Sequence, residues 1–434
     1  MAAYAGSAMT DTSHGSRYWV ETLGCPKNQV DSDKLVGTFA SDGLTEATSI
    51  EDADLVVINT CAFVESARQE SIDTILAAAE ARADGSKLVV TGCMAERYGE
   101  ELASAVPEID LVAPFGHSVT APLAPSRPRI PVAAAPLPDF DLLNLPRPAA
   151  SSPWAYVKVA EGCDRACGFC AIPSFRGPQR SRSVESILDE VDALGAQEIV
   201  LVAQDLAAYG RDQGVGERSI VPLVEAVAER TPRVRLLYLY PSDLTDGLID
   251  VMCRTGTPYF DLSLQHVSRP LLRRMRRWGD GERFLERIEA IRRREPDAAF
   301  RSNFIVGYPG ETEADHDALL RFVEDAQLDW CGFFSYSAED GTHAAGLDGV
   351  VEQDLVDDRL AELRELQDDI TAARSDAWVG RRVEVLVDAP GVARSHREAP
   401  EIDGIVEVPD DLVPGTFVKV TITGAAGPDL VGVP

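Results

Sequence analysis

Long apolar runs are missing from this sequence. No stretch reaches the roughly 18 consecutive apolar residues that a membrane-spanning helix needs, so we expect no membrane segment. Residues 1–16 lack both a basic start and an apolar stretch, which argues against a signal peptide and predicts a disordered tail. Eight cysteines in a chain without an export signal argue for cytoplasmic metal ligands rather than for disulfides.

Positive charge is also scarce. The 41 Lys and Arg residues are outnumbered by 71 Asp and Glu residues, and the net charge is -30. Such a field repels phosphate, so a protein that wraps long stretches of DNA or RNA is disfavoured, whereas a basic protein partner would be attracted. Plain solubility explains the charge equally well. Residues 269–294 differ, with ten arginines and four acidic residues, and they predict a helix that faces either an acidic or phosphate-bearing partner or solvent.

The length and the changes of pattern along the chain predict a multidomain α/β protein. A chain of 434 residues is too long to fold around one hydrophobic core, so two or three domains are expected. Residues 17–119 predict a parallel α/β domain, and nine prolines between residues 120 and 153 predict an extended linker. Residues 154–377 contain six strand and helix units, which predict a partial (β/α)6 barrel. Residues 378–434 alternate with the period of strands and predict a small antiparallel β-barrel.

Three cysteines lie close together at the start of the predicted barrel. Cys163, Cys167 and Cys170 follow a predicted strand at the spacing C-x-x-x-C-x-x-C. So tight a loop directs three thiolates at one small volume, and thiolates are the ligands of iron–sulfur clusters. Three ligands on a four-iron cube leave one iron open, as in the signature of radical S-adenosylmethionine (SAM) enzymes. A zinc site, which normally has four ligands, and a chance arrangement are the alternatives.

Three further cysteines each close a predicted strand of the N-terminal domain. Cys25, Cys61 and Cys93 stand beside glycine or small polar residues, which let the backbone approach a ligand. The carboxyl ends of the strands in an open α/β sheet share one crevice, so we expect these thiols to meet and to hold a second cluster. Small core residues are the alternative, and for Cys253 and Cys331 we prefer it.

The loops after the predicted barrel strands carry polar residues at the end of the barrel where function is expected. They include Gln204, Gln265 and Gly307. His266, beside Gln265, is either a satisfied core histidine or a functional residue.

Six segments resemble one known family. They are residues 22–33 (TLGCPKNQVDSD), 59–73 (NTCAFVESARQESID), 92–98 (GCMAERY), 172–182 (IPSFRGPQRSR), 236–241 (LLYLYP) and 335–342 (SYSAEDGT). From about residue 17 the chain resembles the radical SAM methylthiotransferases, which join an N-terminal cluster domain, a radical SAM barrel and a C-terminal TRAM barrel. The segments are most similar to the branch that modifies an aspartate of ribosomal protein S-twelve. Gly168 and Ser263 depart from the family pattern, where Thr and Pro are usual.

This resemblance implies the cofactors and the reaction. One 4Fe-4S cluster on Cys163, Cys167 and Cys170 would bind SAM and yield a 5′-deoxyadenosyl radical, and a second 4Fe-4S cluster would present sulfur to the substrate. A second SAM would supply the methyl group, and flavodoxin or ferredoxin would supply electrons. The expected SAM pocket includes Phe169, Gln204, Gln265 and Gly307. A transfer-RNA methylthiotransferase and a non-catalytic iron–sulfur electron carrier are the alternatives.

The C-terminal barrel bears on the choice of partner. Residues 378–434 contain five Lys and Arg but nine Asp and Glu residues, which disfavours RNA and favours a basic ribosomal protein. We therefore expect Glu398, Glu401 and Asp403 to dock the substrate protein; the alternative is that they only keep the barrel soluble.

Overall fold

The computed structural model describes residues 16–123, 141–214 and 220–434. Most of the predicted tail, residues 1–15, and the middle of the predicted linker, residues 124–140, lie outside the described residues. Within the described part of the chain, no helix is both long and apolar enough to cross a bilayer.

The N-terminal domain is a five-stranded parallel sheet with crossover helices, as predicted. Its strands are β1 (Arg17–Thr22), β2 (Thr45–Glu46), β3 (Leu55–Thr60), β4 (Lys87–Gly92) and β5 (Leu111–Val112). Its helices are α1 (Pro26–Ser41), α2 (Glu65–Ala81) and α3 (Cys93–Ala105). The strand order β2-β1-β3-β4-β5 reverses direction between β1 and β3, and a crevice opens at such a switch point. The two-residue strands β2 and β5 at the edges were not predicted.

The central domain is the predicted partial barrel. Its six parallel strands are β6 (Trp154–Lys158), β9 (Glu198–Val202), β10 (Arg233–Leu236), β11 (Tyr259–Gln265), β12 (Ala299–Val306) and β13 (Trp330–Ser335). They form two three-stranded sheets, which a parallel bridge between Leu239 and Leu262 joins in chain order. A short hairpin of β7 (Ala160–Glu161) and β8 (Arg180–Ser181) lies beside them.

Eight helices accompany these strands in the described part of the central domain. They are α4 (Ile172–Arg176), α5 (Val184–Leu194), α6 (Ile220–Ala228), α7 (Asp246–Arg254), α8 (Arg269–Arg274), α9 (Gly281–Arg294), α10 (Glu313–Ala326) and α11 (Gln353–Asp376). Their apolar faces and the outward faces of the strands form one large buried core.

The C-terminal domain is a closed five-stranded barrel. Its strands are β14 (Arg382–Ala389), β15 (Val392–Arg394), β16 (Val406–Glu407), β17 (Phe417–Ala426) and β18 (Asp429–Val433), in the order β14-β15-β16-β18-β17. Four of the strand pairs are antiparallel, as predicted, whereas β16 and β18 run parallel. The short strand β15 and the final strand β18 were not predicted.

The arginine-rich stretch, residues 269–294, forms two helices rather than the predicted one. Asp280 accepts a hydrogen bond from the amide of Arg283 and starts α9 after a break. Several of its arginines have partners inside the chain: Arg287 pairs with Asp246, and Arg292 donates to the carbonyls of Ala326 and Gln327. These contacts explain those arginines without an external partner.

The end of the predicted linker packs against both neighbouring domains. Lys34 of α1 donates to the carbonyl oxygens of Leu143 (2.8 Å) and Leu145 (3.1 Å) and pairs with Glu190 of α5 (3.0 Å). Arg147 pairs with Asp33 of α1 and with Glu190. Residues 141–153 form no helix or strand, but these contacts fix them between the two domains.

The inner face of the partial barrel is filled by residues from all three domains. Tyr156, Val200, Tyr259 and Trp330 occupy alternate, inward positions on the strands. Val30 of α1 and Ala399 of the C-terminal domain complete the same buried cluster. The open barrel therefore obtains part of its core from the domains on either side.

Residues 394–403, which we call the closing segment, connect the C-terminal barrel to this inner face. Arg394 pairs with Glu198 (3.0 Å) and Arg397 with Asp329 (3.3 Å), and all four side chains are buried. The hydroxyl of Tyr156 donates to the carbonyl of Pro400 (3.1 Å).

The docking role predicted for Glu398 and Asp403 is wrong, because both side chains are buried in the closing segment. Glu398 accepts hydrogen bonds from the amide (2.8 Å) and hydroxyl (2.6 Å) of Ser395. Asp403 pairs with Arg301 of the central barrel (2.6 Å) and accepts from the hydroxyl of Tyr259 (2.7 Å). Of the three predicted residues, only Glu401 is exposed.

We expect Asp403→Ala to destabilise the protein, because it leaves the guanidinium of Arg301 buried without its carboxylate. Breaking a buried ion pair in this way typically costs about 3–5 kcal/mol. Urea unfolding followed by circular dichroism should show a lower midpoint, whereas Asp411→Ala, at an exposed position of the same domain, should not. Equal midpoints for the two variants would contradict the structural role of Asp403.

Candidate functional site

Cys25, Cys61 and Cys93 lie at the carboxyl ends of the three central strands of the N-terminal sheet. Cys25 precedes α1, Cys61 follows β3, and Cys93 begins α3. The loops touch: a Cβ atom on Gly24, whose φ is +95°, would lie 2.8 Å from Cys61 Cβ and 3.0 Å from Cys61 Sγ. The structure therefore brings these loops together in one crevice.

The buried Asn28 ties the three cysteine loops together. Its side-chain Nδ2 donates to the carbonyl of Leu23 (2.9 Å), which precedes Cys25 by two residues, and to the carbonyl of Thr60 (3.0 Å), which directly precedes Cys61. Its carbonyl Oδ1 lies 3.7 Å from Cys93 Sγ. Asn28 was not predicted as a functional residue, although it lies in the quoted segment TLGCPKNQVDSD.

The three thiols have different electrostatic surroundings. Burial raises the pKa of Cys61 to about 11, and Cys93 and Cys25 add to the increase. Burial also raises the pKa of Cys93, although Arg176 opposes it. At Cys25 burial acts in the same direction, but the charges of Lys27 and Arg176 and two backbone hydrogen bonds outweigh it, so the pKa is lowered. The positive charges of Lys27 and Arg176 thus favour the thiolate form of Cys25, and metal ligation requires the thiolate.

Cys163, Cys167 and Cys170 lie on a loop that the rest of the barrel holds by its backbone. The amide of Cys163 donates to Gly177 O (3.1 Å), and that of Gly168 donates to Met275 O (2.8 Å). The carbonyl of Gly168 accepts from Ala344 N (2.7 Å). A Cβ atom on Gly168 would approach the hydroxyl of Tyr308 to 3.0 Å. This close approach explains why glycine stands here, where Thr is usual in the family.

Two guanidinium groups border this loop. Arg277 donates to Cys167 Sγ (3.2 Å) and also to the carbonyl of Ser263. Arg165, between the cysteines, donates to Asp205 (2.5 Å). The two guanidinium groups lie 3.9 Å and 4.3 Å from the ring centroid of Tyr240, on which both rest. Burial raises the pKa of Cys163 to about 11 and that of Cys170 to about 12, with further contributions from the neighbouring thiols.

Neither set of thiols is arranged around a single ion. Among the described residues, no three Cys, His, Asp or Glu side chains are close enough together to hold one metal ion. A zinc site places all its ligands within about 2.3 Å of one point. A four-iron cluster instead binds each cysteine to a different iron, and the chemistry of an all-thiol donor set suits it.

The residues predicted for a SAM pocket differ in their surroundings. Gln204 donates to Glu161 (2.7 Å), and its Oε1 is buried with no hydrogen-bond partner among the residues described. Gln265 has a left-handed backbone, with φ of +71°, at an irregularity in β11. Phe169 packs half-buried against the barrel core. Gly307 has a left-handed backbone, with φ of +79°, and a Cβ atom there would lie 2.5 Å from Val356 Cγ2; its amide donates to Glu311 (2.6 Å).

Asn303, in β12, was not predicted as a site residue. Its Oδ1 is buried and has no partner within the described ranges. It lies over Gly332 on the neighbouring strand, where a Cβ atom would approach Oδ1 to 2.5 Å. Gly332 thus makes room for the side chain of Asn303 on the neighbouring strand.

His266 is buried, and its Nε2 has no hydrogen-bond partner among the described residues. Burial lowers its pKa to about 4, so the ring is neutral at physiological pH. Its Nδ1 accepts from the amide of Ser268 (3.0 Å), which fixes the proton on Nε2.

Comparisons with known proteins agree with this architecture. Three family models match: Uncharacterized protein family UPF0004 over residues 17–114, Radical SAM superfamily over 157–323 and TRAM domain over 379–434. The ribosomal protein uS12 methylthiotransferase RimO of Moorella thermoacetica is 44% identical over 420 residues, which cover 94% of this chain and 96% of the relative. The enzyme of the same name from Salinispora tropica is 41% identical over 488 residues, which cover 97% and 96%. The chain belongs to the RimO family.

The similarity to solved structures is weaker. The cobalamin-dependent SAM radical enzyme OxsB, solved with aqua-cobalamin and SAM, has a TM-score of 0.49 at 13% identity and covers 82% of this chain and 56% of its own. The radical SAM methyltransferase TsrM from Kitasatospora setae, solved with cobalamin and a [4Fe-4S] cluster, has a TM-score of 0.46 at 13% identity, covering 92% and 84%.

Two of the quoted RimO-like segments meet at the boundary between the N-terminal and central domains. Tyr238, in LLYLYP, has a left-handed backbone with φ of +65° that its amide stabilises by donating to Asp261 (2.9 Å). The ammonium of Lys27, in TLGCPKNQVDSD, lies 3.4 Å from the centroid of its ring. A strained residue of the barrel is therefore held against the loop of Cys25.

Glu339, in SYSAEDGT, joins the same two domains of this RimO-family chain. Its buried carboxylate pairs with Arg97 of α3 (2.8 Å) and with Arg68 of α2. Ser337, beside it, donates to Glu339 (2.6 Å) and accepts from the amide of Glu65 (3.3 Å). The segment after β13 thus fixes α2, which follows Cys61, and α3, which begins at Cys93.

We expect Glu339→Ala to loosen the N-terminal domain, because Arg68 and Arg97 lose their shared carboxylate. Limited trypsin digestion should cleave the variant in α2 or α3 at least several-fold faster than the parent. Asp340→Ala is the matched control, since Asp340 is exposed and only its backbone carbonyl contacts Arg97. Equal digestion of parent, control and Glu339→Ala would contradict the clamp.

Proposed function

We propose that this protein replaces a hydrogen on the β-carbon of an aspartate in ribosomal protein uS12 with a methylthio group. One observation carries the proposal: two sets of three cysteines stand at the carboxyl ends of strands in adjoining domains of a chain that belongs to the RimO family. An aliphatic carbon has no acidic proton for a general base, so radical chemistry is required.

Each set of cysteines has an assigned role. Cys163, Cys167 and Cys170 hold the 4Fe-4S cluster that binds SAM, and Cys25, Cys61 and Cys93 hold the auxiliary 4Fe-4S cluster. Both sets supply three thiols, which leaves one iron of each cube for a non-protein ligand. With its cofactors bound, the site supplies reductive cleavage of SAM and a sulfur atom for transfer.

The residues around the loop would orient SAM and exclude water. Gln204 Oε1 and Asn303 Oδ1 are buried acceptors without partners in the described residues, and they suit the polar groups of SAM. Phe169 would contribute an apolar wall, and Gln265 a backbone turn at the strand end. Gly307 would act only indirectly, through its packing against α11.

Electrons and methyl groups come from outside the chain. The cleavage of SAM consumes one electron, for which a low-potential donor such as flavodoxin or ferredoxin is the proposed source. A second SAM donates the methyl group. Such donors and the ribosomal substrate are cytoplasmic, so we place the protein there.

Charge supports a protein substrate. The net charge of -30 attracts a basic ribosomal protein, whether free or on the small subunit, and opposes RNA. Within the closing segment, Glu401 alone of the three predicted docking residues is exposed to make such a contact. Modification of transfer RNA is the competing outcome of the test.

We expect replacement of the two sets of cysteines to stop different steps of the reaction. Replacing Cys163, Cys167 and Cys170 by Ala should abolish formation of 5′-deoxyadenosine, because the SAM-binding cluster is lost. Replacing Cys25, Cys61 and Cys93 should leave 5′-deoxyadenosine formation largely intact but stop sulfur transfer. After anaerobic reconstitution and incubation with SAM, reductant and uS12, mass spectrometry should find the methylthio group on an aspartate only with the parent protein.

Cys253→Ala and Cys331→Ala are controls for loss of a thiol outside the two sets, and they should retain activity. Wild-type 5′-deoxyadenosine formation by the first triple variant would overturn the cluster assignment. Methylthiolated transfer RNA with unmodified uS12 would replace the proposed substrate.

A further inference from the structure

Arg176 contacts the auxiliary cysteines although it belongs to the central domain. It ends the short helix α4, and its Nη2 lies 3.0 Å from Cys93 Sγ and 2.8 Å from Asn28 Oδ1. Its side chain is only 3% exposed. A charged N–H group is therefore directed at a proposed ligand sulfur from across the domain boundary.

The position of this guanidinium is fixed on its other side. Nη1 pairs with Asp31 of α1 (3.2 Å) and with Glu161 of β7 (3.0 Å), and the group lies 4.3 Å from the ring centroid of Phe115. Lys158 pairs with the same two carboxylates. With partners on every side, the guanidinium cannot turn away from Cys93 without leaving buried charges unpaired.

The same short segment also holds the other set of cysteines. Gly177, the residue after Arg176, accepts a hydrogen bond from the amide of Cys163 (3.1 Å). A Cβ atom on Gly162 would lie 2.2 Å from the carbonyl oxygen of Pro178, so the cysteine loop and this segment are in close contact. Arg176 and Gly177 therefore link one ligand of each proposed cluster.

Hydrogen bonds and positive charge at a ligand sulfur stabilise the reduced form of an iron–sulfur cluster, because that form carries more negative charge. We propose that Arg176 is a positioning residue of the auxiliary site, which orients Cys93 and raises the reduction potential of the cluster bound there. This inference rests on the proposed function, since it requires a cluster on Cys25, Cys61 and Cys93. Arg277, at Cys167, has the corresponding contact at the other site.

The test uses the full chain in which Cys163, Cys167 and Cys170 are all replaced by Ala, so that only the auxiliary cluster can form. Iron and sulfide are counted after reconstitution, and the potential is measured by redox titration followed by electron paramagnetic resonance. In this background Arg176→Gln should retain the cluster but lower its potential. We expect the ratio of reduced to oxidised cluster at a fixed potential to fall about tenfold, which corresponds to about 59 mV for one electron.

Two variants serve as controls. Arg182→Gln removes another buried guanidinium, which donates to the carbonyls of Lys158 (3.1 Å) and Ser186 (2.9 Å) and contacts no cysteine; the potential should not change. Arg277→Gln should also leave it unchanged, because its sulfur partner belongs to the other set. A purely structural role of Arg176 would leave the potential at the parent value.

The outcomes separate the inference from the proposed function. A parent triple variant that binds no cluster would overturn both. A normal cluster with an unchanged potential in Arg176→Gln would overturn the role of Arg176 alone. If Arg176→Gln does not fold, Arg176→Lys replaces it. Arg176 uses Nη1 for Asp31 and Glu161 and Nη2 for Cys93, and a single ammonium nitrogen cannot occupy both positions, so a lower potential is again expected and an unchanged one refutes the inference.

Discussion

A buried group of four charged side chains connects the domain of Cys25, Cys61 and Cys93 to the domain of Cys163, Cys167 and Cys170. Asp31 comes from the N-terminal domain, and Lys158, Glu161 and Arg176 come from the central barrel. Burying an ion costs several kcal/mol unless it is paired, so none of the four can separate from the others without a large penalty. Burial opposes charge on Glu161, but Arg176 and Lys158 outweigh it and keep the pKa of its carboxyl at about 2. Glu161 is therefore ionised at neutral pH, and the paired charges connect the two domains beside the auxiliary cysteines.

The incomplete closure of the central barrel imposes a second constraint, because its inner face must be covered by other parts of the chain. Six strands do not close a barrel, and the inward faces of Tyr156, Tyr259 and Trp330 need cover. Helix α1 supplies Val30 on one side, and the closing segment supplies Ala399 on another. The C-terminal barrel is thus part of the central fold, in addition to any contact it makes with a substrate. This arrangement also explains why Asp403 of the closing segment is buried opposite Arg301 of the barrel.

The sequence predicted features whose evidence is local. Cys163, Cys167 and Cys170 lie within eight residues, and the strand ends before Cys25, Cys61 and Cys93 follow from buried apolar runs. The partners of single side chains could not be predicted in the same way. Arg176 lies 83 residues from Cys93, and Asp403 lies 102 residues from Arg301, so no periodicity relates them. Acidic residues are usually exposed, and that general expectation led to the wrong prediction for Glu398 and Asp403.

The most direct test of this account is a crystal structure of the anaerobically reconstituted protein with data collected at the iron absorption edge. We predict two separate iron clusters, one bound by Cys163, Cys167 and Cys170 and the other by Cys25, Cys61 and Cys93, with Arg176 donating to Cys93 Sγ between the domains. A single cluster, or iron bound by a different set of cysteines, would contradict the central claim that this fold holds two separate cluster sites in adjoining domains.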